Sequence, residues 1–187
     1  MLNMAAPRAG RGLLETELSD QTYSRDWETK LTEALRSLPG PVHLVGVGNS
    51  MRTDDAVGLE IVSELRSRLG AAPGPRLRIH PATAMPERLL SRLASGPGGI
   101  LVFDAVEAAK SPGDIIFCAL ADTKYGFFAT HNIPLKLIPG LASRENDVFM
   151  VGVQPRSLEV GEELTDQVRA SARLVVDAVA RTAEGFN

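Results

Sequence analysis

The chain has little with which to build covalent or cationic chemistry. One cysteine, Cys118, occurs in 187 residues, so no disulfide can close within the chain. A cytoplasmic setting is the expectation that follows. Basic charge is not in excess: 20 Lys and Arg against 23 Asp and Glu give a net charge of −3, and no basic stripe marks a nucleic-acid surface. No apolar run reaches the roughly 18 residues that a membrane span needs. Met1 to Gly12 holds Arg8 and Arg11 but no apolar stretch, so it does not read as a signal peptide. There is no internal repeat and no Gly-x-Ser-x-Gly elbow, and Cys118 falls in the middle of an apolar stretch. Covalent catalysis is therefore poorly supported.

What is present is organised around Val42 to Gly58. Val42 to Val47 is a short β-branched run of strand length. Gly46 and Gly48 let the backbone turn, and Asn49 and Ser50 are turn and cap formers. Beyond Ala56 the apolar spacing becomes helical, with Val57, Ile61, Val62, Leu65 and Leu69 on one face. Asp54 and Asp55 thus stand where a strand ends and a helix begins, the edge at which open α/β sheets bind ligands. A lone Asp there is a helix cap; a pair after a Gly-x-Gly turn points to a site. A dinucleotide fingerprint is opposed by Met51 in place of the third glycine and by two carboxylates facing any pyrophosphate, so no nucleotide is expected.

The rest of the chain alternates. Arg25 to Leu38 has a helical pattern, ended by Pro39-Gly40-Pro41, and reads as the one helix of an extension over residues 1–40. A single domain over 41–187 follows, in which that helix packs. Helices are expected at about 55–69, 86–93, 130–141 and 164–182, and strands at 42–47, 77–80, 100–103, 114–120 (an edge) and 147–153, with a loop over 121–130 and irregular chain over 154–163. Strands alternating with helices predict an α/β fold: a three-layer α/β/α sandwich on a mostly parallel, twisted sheet of about five strands.

Two further residues stand at element ends. Asp104 follows the unbroken apolar run Ile100 to Phe103 and reads either as a functional carboxylate or as a loop anchor. His131 opens the helical pattern after Thr130, where a histidine is a cap, a core residue or a ligand. In a parallel sheet these ends share one edge. Asp55, Asp104 and His131 together offer two carboxylates and an imidazole, a ligand set for Zn²⁺, Ni²⁺ or a related divalent ion with open positions. The same groups would serve equally to activate water as a general base. Asp54 is expected to point away and act as a cap.

Four blocks in order resemble the [NiFe]-hydrogenase maturation endopeptidases: Gly46-Val47-Gly48-Asn49-Ser50-Met51-x-x-Asp54-Asp55-Ala56-x-Gly58, Phe103-Asp104-Ala105, Thr130-His131-Asn132-Ile133-Pro134-Leu135, and Val151-Gly152-Val153-Gln154-Pro155. The resemblance runs from about Val42 to Arg181 and is nearest to the branch that processes the formate-hydrogenlyase hydrogenase. It implies a monomeric protease that removes a C-terminal peptide from the hydrogenase large-subunit precursor after nickel insertion. Asp55, Asp104 and His131 would be its metal-contacting and catalytic residues, and the nickel would be carried by the substrate. One block departs from the family pattern. Where the family has Asp-Gly-Gly followed by Thr or Ser and then Ala-Pro-Glu, this chain reads His80-Pro81-Ala82-Thr83-Ala84-Met85-Pro86-Glu87. The departure keeps open a non-catalytic nickel-site checkpoint or chaperone on the same fold. His80 itself reads as a solvated strand-end histidine.

Overall fold

A computed structural model describes residues 26–70, 73–80, 86–122, 138 and 140–186. Five strands form one sheet: β1 (Val42–Gly46), β2 (Leu77–His80), β3 (Ile100–Ala105), β4 (Ile115–Ala119) and β5 (Val148–Val153), in the order β2-β1-β3-β5-β4. β1 runs parallel to β2 and β3, and β3 parallel to β5; β4 closes the far edge antiparallel to β5. The helices are α1 (Trp27–Ser37), α2 (Val57–Leu69), α3 (Pro86–Ala94) and α4 (Asp166–Glu184). The sandwich and its mostly parallel sheet are as the alternation of elements predicts.

Each face of the sheet has its own core. On one, Leu31 and Leu35 of α1, Ile61 and Leu65 of α2, and Val168, Val175 and Val179 of α4 bury Val42, Leu44, Leu77, Leu101, Phe103 and Val151. On the other, Leu89, Leu90 and Leu93 of α3, with Ile138 and Leu141, bury Val45, Ile100, Val102, Val148 and Met150. The helix expected in the N-terminal extension packs into the first core. Its C-terminal carbonyls are gathered by Arg76, which donates to Leu35, Leu38 and Arg36 oxygens at 3.1, 2.8 and 2.9 Å. These are carbonyls that a helix end leaves without intrahelical donors.

The chain leaves β1 through α2 toward β2, then returns through α3 to β3 on the other side of β1. Right-handed crossovers in opposite directions place α2 and α3 on opposite faces. The two directions diverge between the C-terminal ends of β1 and β3, the switch point at which open α/β sheets place their ligand crevice.

Glycines set how closely this crevice is built. A Cβ on Gly58 would fall on the carbonyl oxygens of Phe103 and Val47, and one on Gly46 on the Gly58 carbonyl. The first turn of α2 therefore lies backbone to backbone against β1 and β3. Gly58→Ala is expected to cost about 1–3 kcal/mol, because backbone and not a flexible side chain must yield. Gly96→Ala, whose Cβ would meet only the Leu93 oxygen at 3.6 Å, should stay within about 0.5 kcal/mol of the parent. Urea midpoints of the two variants check the contrast.

Candidate active site

The turn after β1 is closed by its own backbone. Asn49 N donates to Asp55 O at 3.2 Å, Arg52 N to Asn49 O at 3.1 Å and Asp55 N to Arg52 O at 2.8 Å, while Asn49 Oδ1 accepts from Met51 N at 3.0 Å. Residues Thr53–Ala56 form one 3₁₀ turn leading into α2. Three residues per turn send neighbouring side chains to different sides, and Asp54 and Asp55 part accordingly.

Asp54 does not cap the helix beside it, contrary to the expectation from sequence: neither the 3₁₀ turn nor α2 has a side-chain cap. Its carboxylate is fully buried and reaches across to the loop between β5 and α4. Oδ2 accepts from Arg156 N at 2.8 Å, Ser157 N at 3.0 Å and Thr165 Oγ1 at 3.0 Å, and Oδ1 accepts from Thr165 N at 2.7 Å. Donors a hundred residues away decide its role, and local patterning cannot show them.

Asp55 is 2% exposed and Asp104 is fully buried. Asp104 lies inside β3 and not just beyond it. β5 pairs with β3 as far as Ala105↔Val153, whereas β1 stops at Gly46↔Phe103, so one-sided pairing carries the strand past the apolar run. Its partner in register is Gly152, and a Cβ there would strike Val106. Burial holds the Asp104 carboxyl well above the usual carboxylate range; the Ala105 N–H, donating to Oδ1 at 2.8 Å, opposes this, and the Asp55 charge adds to it. The Asp55 charge is thus felt at Asp104, which places the two aspartates together at the ends of β1 and β3. His131, the third residue of the set, lies outside the described residues. Among the described residues no group of three or more His, Cys, Asp and Glu is arranged to hold a metal ion. Cys118 is buried in β4 with its thiol pushed well up by desolvation, which disfavours a thiolate nucleophile.

His80 is half-buried, where the sequence predicts a solvated histidine. Its Nε2 lies 2.9 Å from His43 Nδ1, and His43 Nε2 lies 3.3 Å from the Pro97 oxygen. A carbonyl only accepts, so a neutral His43 carries its proton on Nε2, and its Nδ1 accepts a hydrogen bond from the His80 Nε2–H. Desolvation, then the charges of His43, Arg92 and Arg78, push His80 down to about 4; desolvation also lowers His43. Sequence reasoning missed a second polar anchor, Gln154. Its Oε1 accepts from Ala108 N at 2.8 Å and Lys110 N at 3.2 Å, which fixes the chain leaving Asp104. The signal was available: a polar residue directly after the buried run of β5.

The sequence profile of the hydrogenase maturation proteases matches residues 59–182. The chain belongs to the hydrogenase maturation protease family. The match takes in Asp104 and begins just past Asp55, whose place rests on the fold. The protease is similar to the [NiFe] hydrogenase maturation protease HycI of Thermococcus kodakarensis, with 23% identity and a TM-score of 0.67 over 83% of this chain and 99% of that one. It is also similar to the hydrogenase maturating endopeptidase HybD of E. coli, with 22% identity and a TM-score of 0.60 over 78% and 93%. Both likenesses are of fold. A curated sequence from Methanocaldococcus jannaschii, provisionally named in the same family, is 23% identical over 143 residues, covering 73% of this chain and 84% of its own. The protease is a hydrolase of the endopeptidase class.

Two pH effects follow, with opposite signs. Between its ordinary value of 3.8 and its raised folded value, Asp104 holds a proton that the unfolded chain has lost, so its contribution to stability declines as pH rises. Asp104→Asn, of the same volume and uncharged, should therefore gain on the parent with rising pH in metal-free buffer, by about 1–3 kcal/mol at the alkaline end. His80 behaves inversely. Between 6.5 and about 4 the unfolded chain binds a proton that the folded protein refuses, so stability falls as pH falls through that window. His80→Gln should flatten the decline. Melting temperatures across pH for the three proteins check both.

Proposed function

We propose that the protein removes the C-terminal extension of a [NiFe]-hydrogenase large-subunit precursor after nickel insertion, and that nickel held by the precursor is what it recognises. The observation that carries this reading is the buried Asp55–Asp104 pair at the β1/β3 crevice of a hydrogenase maturation protease. Two oxygen donors, one of them a carboxyl raised by burial above the usual carboxylate range, suit a divalent ion whose remaining ligands come from elsewhere. Such a pair holds a free ion poorly. A cationic centre brought in by the substrate opposes the burial that raises the Asp104 carboxyl, and so favours its charged form when the loaded precursor docks. His131 is assigned as the third donor by its place in the Thr130-His131-Asn132 block.

In this reading Asp55 and Asp104 orient the precursor's metal and a water beside the scissile carbonyl. The water oxygen adds to the carbonyl carbon, its proton passes to an aspartate oxygen, and the leaving amine takes a proton as the C–N bond breaks. Asp54 stays out of the chemistry, since its oxygens are already occupied by backbone and hydroxyl donors.

Processing of nickel-loaded and nickel-free precursor in chelated buffer tests the proposal. Peptide release is expected to be at least about a hundredfold faster from the loaded form, and Asp104→Asn should lower it by a similar factor while remaining folded. Equal rates on both forms would remove nickel as the recognition element. Tight binding of loaded precursor without peptide release would identify a checkpoint and not a protease.

A further inference from the structure

Among the described residues three large apolar side chains stand in solvent: Met51 at 67%, Val160 at 89% and Leu174 at 54% exposure. Leu174 lies alone on α4, as scattered surface leucines do. Met51 and Val160 are brought together. Arg52 bridges Gly161 in parallel register; Gly161 N donates to Met51 O at 3.0 Å, and Thr53 N to Gly161 O at 2.8 Å. One step back in that register, the backbone of Met51 runs beside that of Val160. Met51 belongs to the same closed turn as Asp55.

The tip that carries Val160 is held unusually well for a surface loop. Arg52 Nε donates to Leu158 O at 2.9 Å, and Thr53 Oγ1 lies 2.7 Å from Ser157 O and 3.2 Å from Glu159 O. Below them sits the Asp54 carboxylate with its four donors. Residues 157–161 include no buried side chain, so this anchoring does not serve the core. It keeps two apolar groups fixed in water, one of them in the turn that carries Asp55. A surface held rigid before contact loses less entropy on binding, and an exposed apolar patch is a contact waiting for a partner.

We propose that Met51 and Val160 are specificity-determining contacts of the protease, which together seat an apolar side chain of the polypeptide substrate beside the scissile bond. The occupant follows from the enzyme class and the placement. An endopeptidase must lay a polypeptide across Asp55 and Asp104, and Met51 shares its turn with Asp55. The proposal rests on the peptidase reading above, and the experiment separates the two.

The test compares Met51→Ser/Val160→Ser with the parent and with Leu174→Ser, using nickel-loaded large-subunit precursor from the same genome. Serine removes apolar surface without adding charge near the aspartates. The double variant should raise KM by about tenfold or more with kcat within about twofold, while Leu174→Ser changes neither. The single variants, each expected to raise KM severalfold, give the same reading should the double variant lose its fold. An unchanged KM, an equal rise in Leu174→Ser, or a fall in kcat at constant KM would overturn the assignment. The peptidase reading fails differently: parent protein that releases no peptide, or Asp104→Asn that releases it normally. In either case the Kd of uncleaved precursor for parent and double variant, expected to differ by about tenfold, still decides whether the two side chains contact it.

Discussion

The close approach of Gly58 to the carbonyls of Phe103 and Val47 is the constraint on which the site depends. It lets the first turn of α2 rest on the ends of β1 and β3 with no side chain between. The 3₁₀ turn that precedes it then has little freedom, and Asp55 is carried into the crevice beside Asp104. A side chain at Gly58 would press on those carbonyls and lift the helix, moving the turn that carries Asp55 along with the apolar face of α2. Glycine here serves closeness of packing, as Gly46 does beneath the Gly58 carbonyl.

Two fully buried aspartates are treated in opposite ways by their surroundings. Asp54 is met by three backbone N–H groups and a hydroxyl, which occupy both of its oxygens. It works as a rivet between two loops. Asp104 lies deep in the central strand, where desolvation outweighs the Ala105 N–H and the neighbouring Asp55 charge raises its carboxyl further. One buried carboxylate ties two loops together, and the other is the candidate for chemistry. The difference in donors is what separates a positioning residue from a candidate catalytic one, although both are Asp at an element end.

The anchored loops extend the same logic outward. Gln154 fixes the chain after Asp104, and Asp54 fixes the chain before α4. The crevice is therefore walled by segments tied to one another by side-chain to backbone bonds. Such bonds are directional, so they hold the loops in one arrangement where apolar packing would admit several. An endopeptidase needs a rim that stays in place while a polypeptide is fitted to it.

Much of this could be read in advance. Apolar spacing alone set the strand at Leu77–His80 to the residue and the other strands and helices of the described chain to within a few residues, because burial on one face or two writes its period into a chain directly. Strand–helix alternation set the layers, and the position of Asp55 and Asp104 near strand ends set the edge to examine. The tertiary structure decided what no local window holds: that β3 runs through Asp104 because β5 pairs with it there, that Asp54 serves a loop a hundred residues on, and that His80 is drawn against His43. In each case the partner comes from a distant segment. The energy of a buried polar group is set by the donors that the whole fold delivers to it, whereas the energy of an apolar residue is set largely by its removal from water, which its own neighbours along the chain foretell.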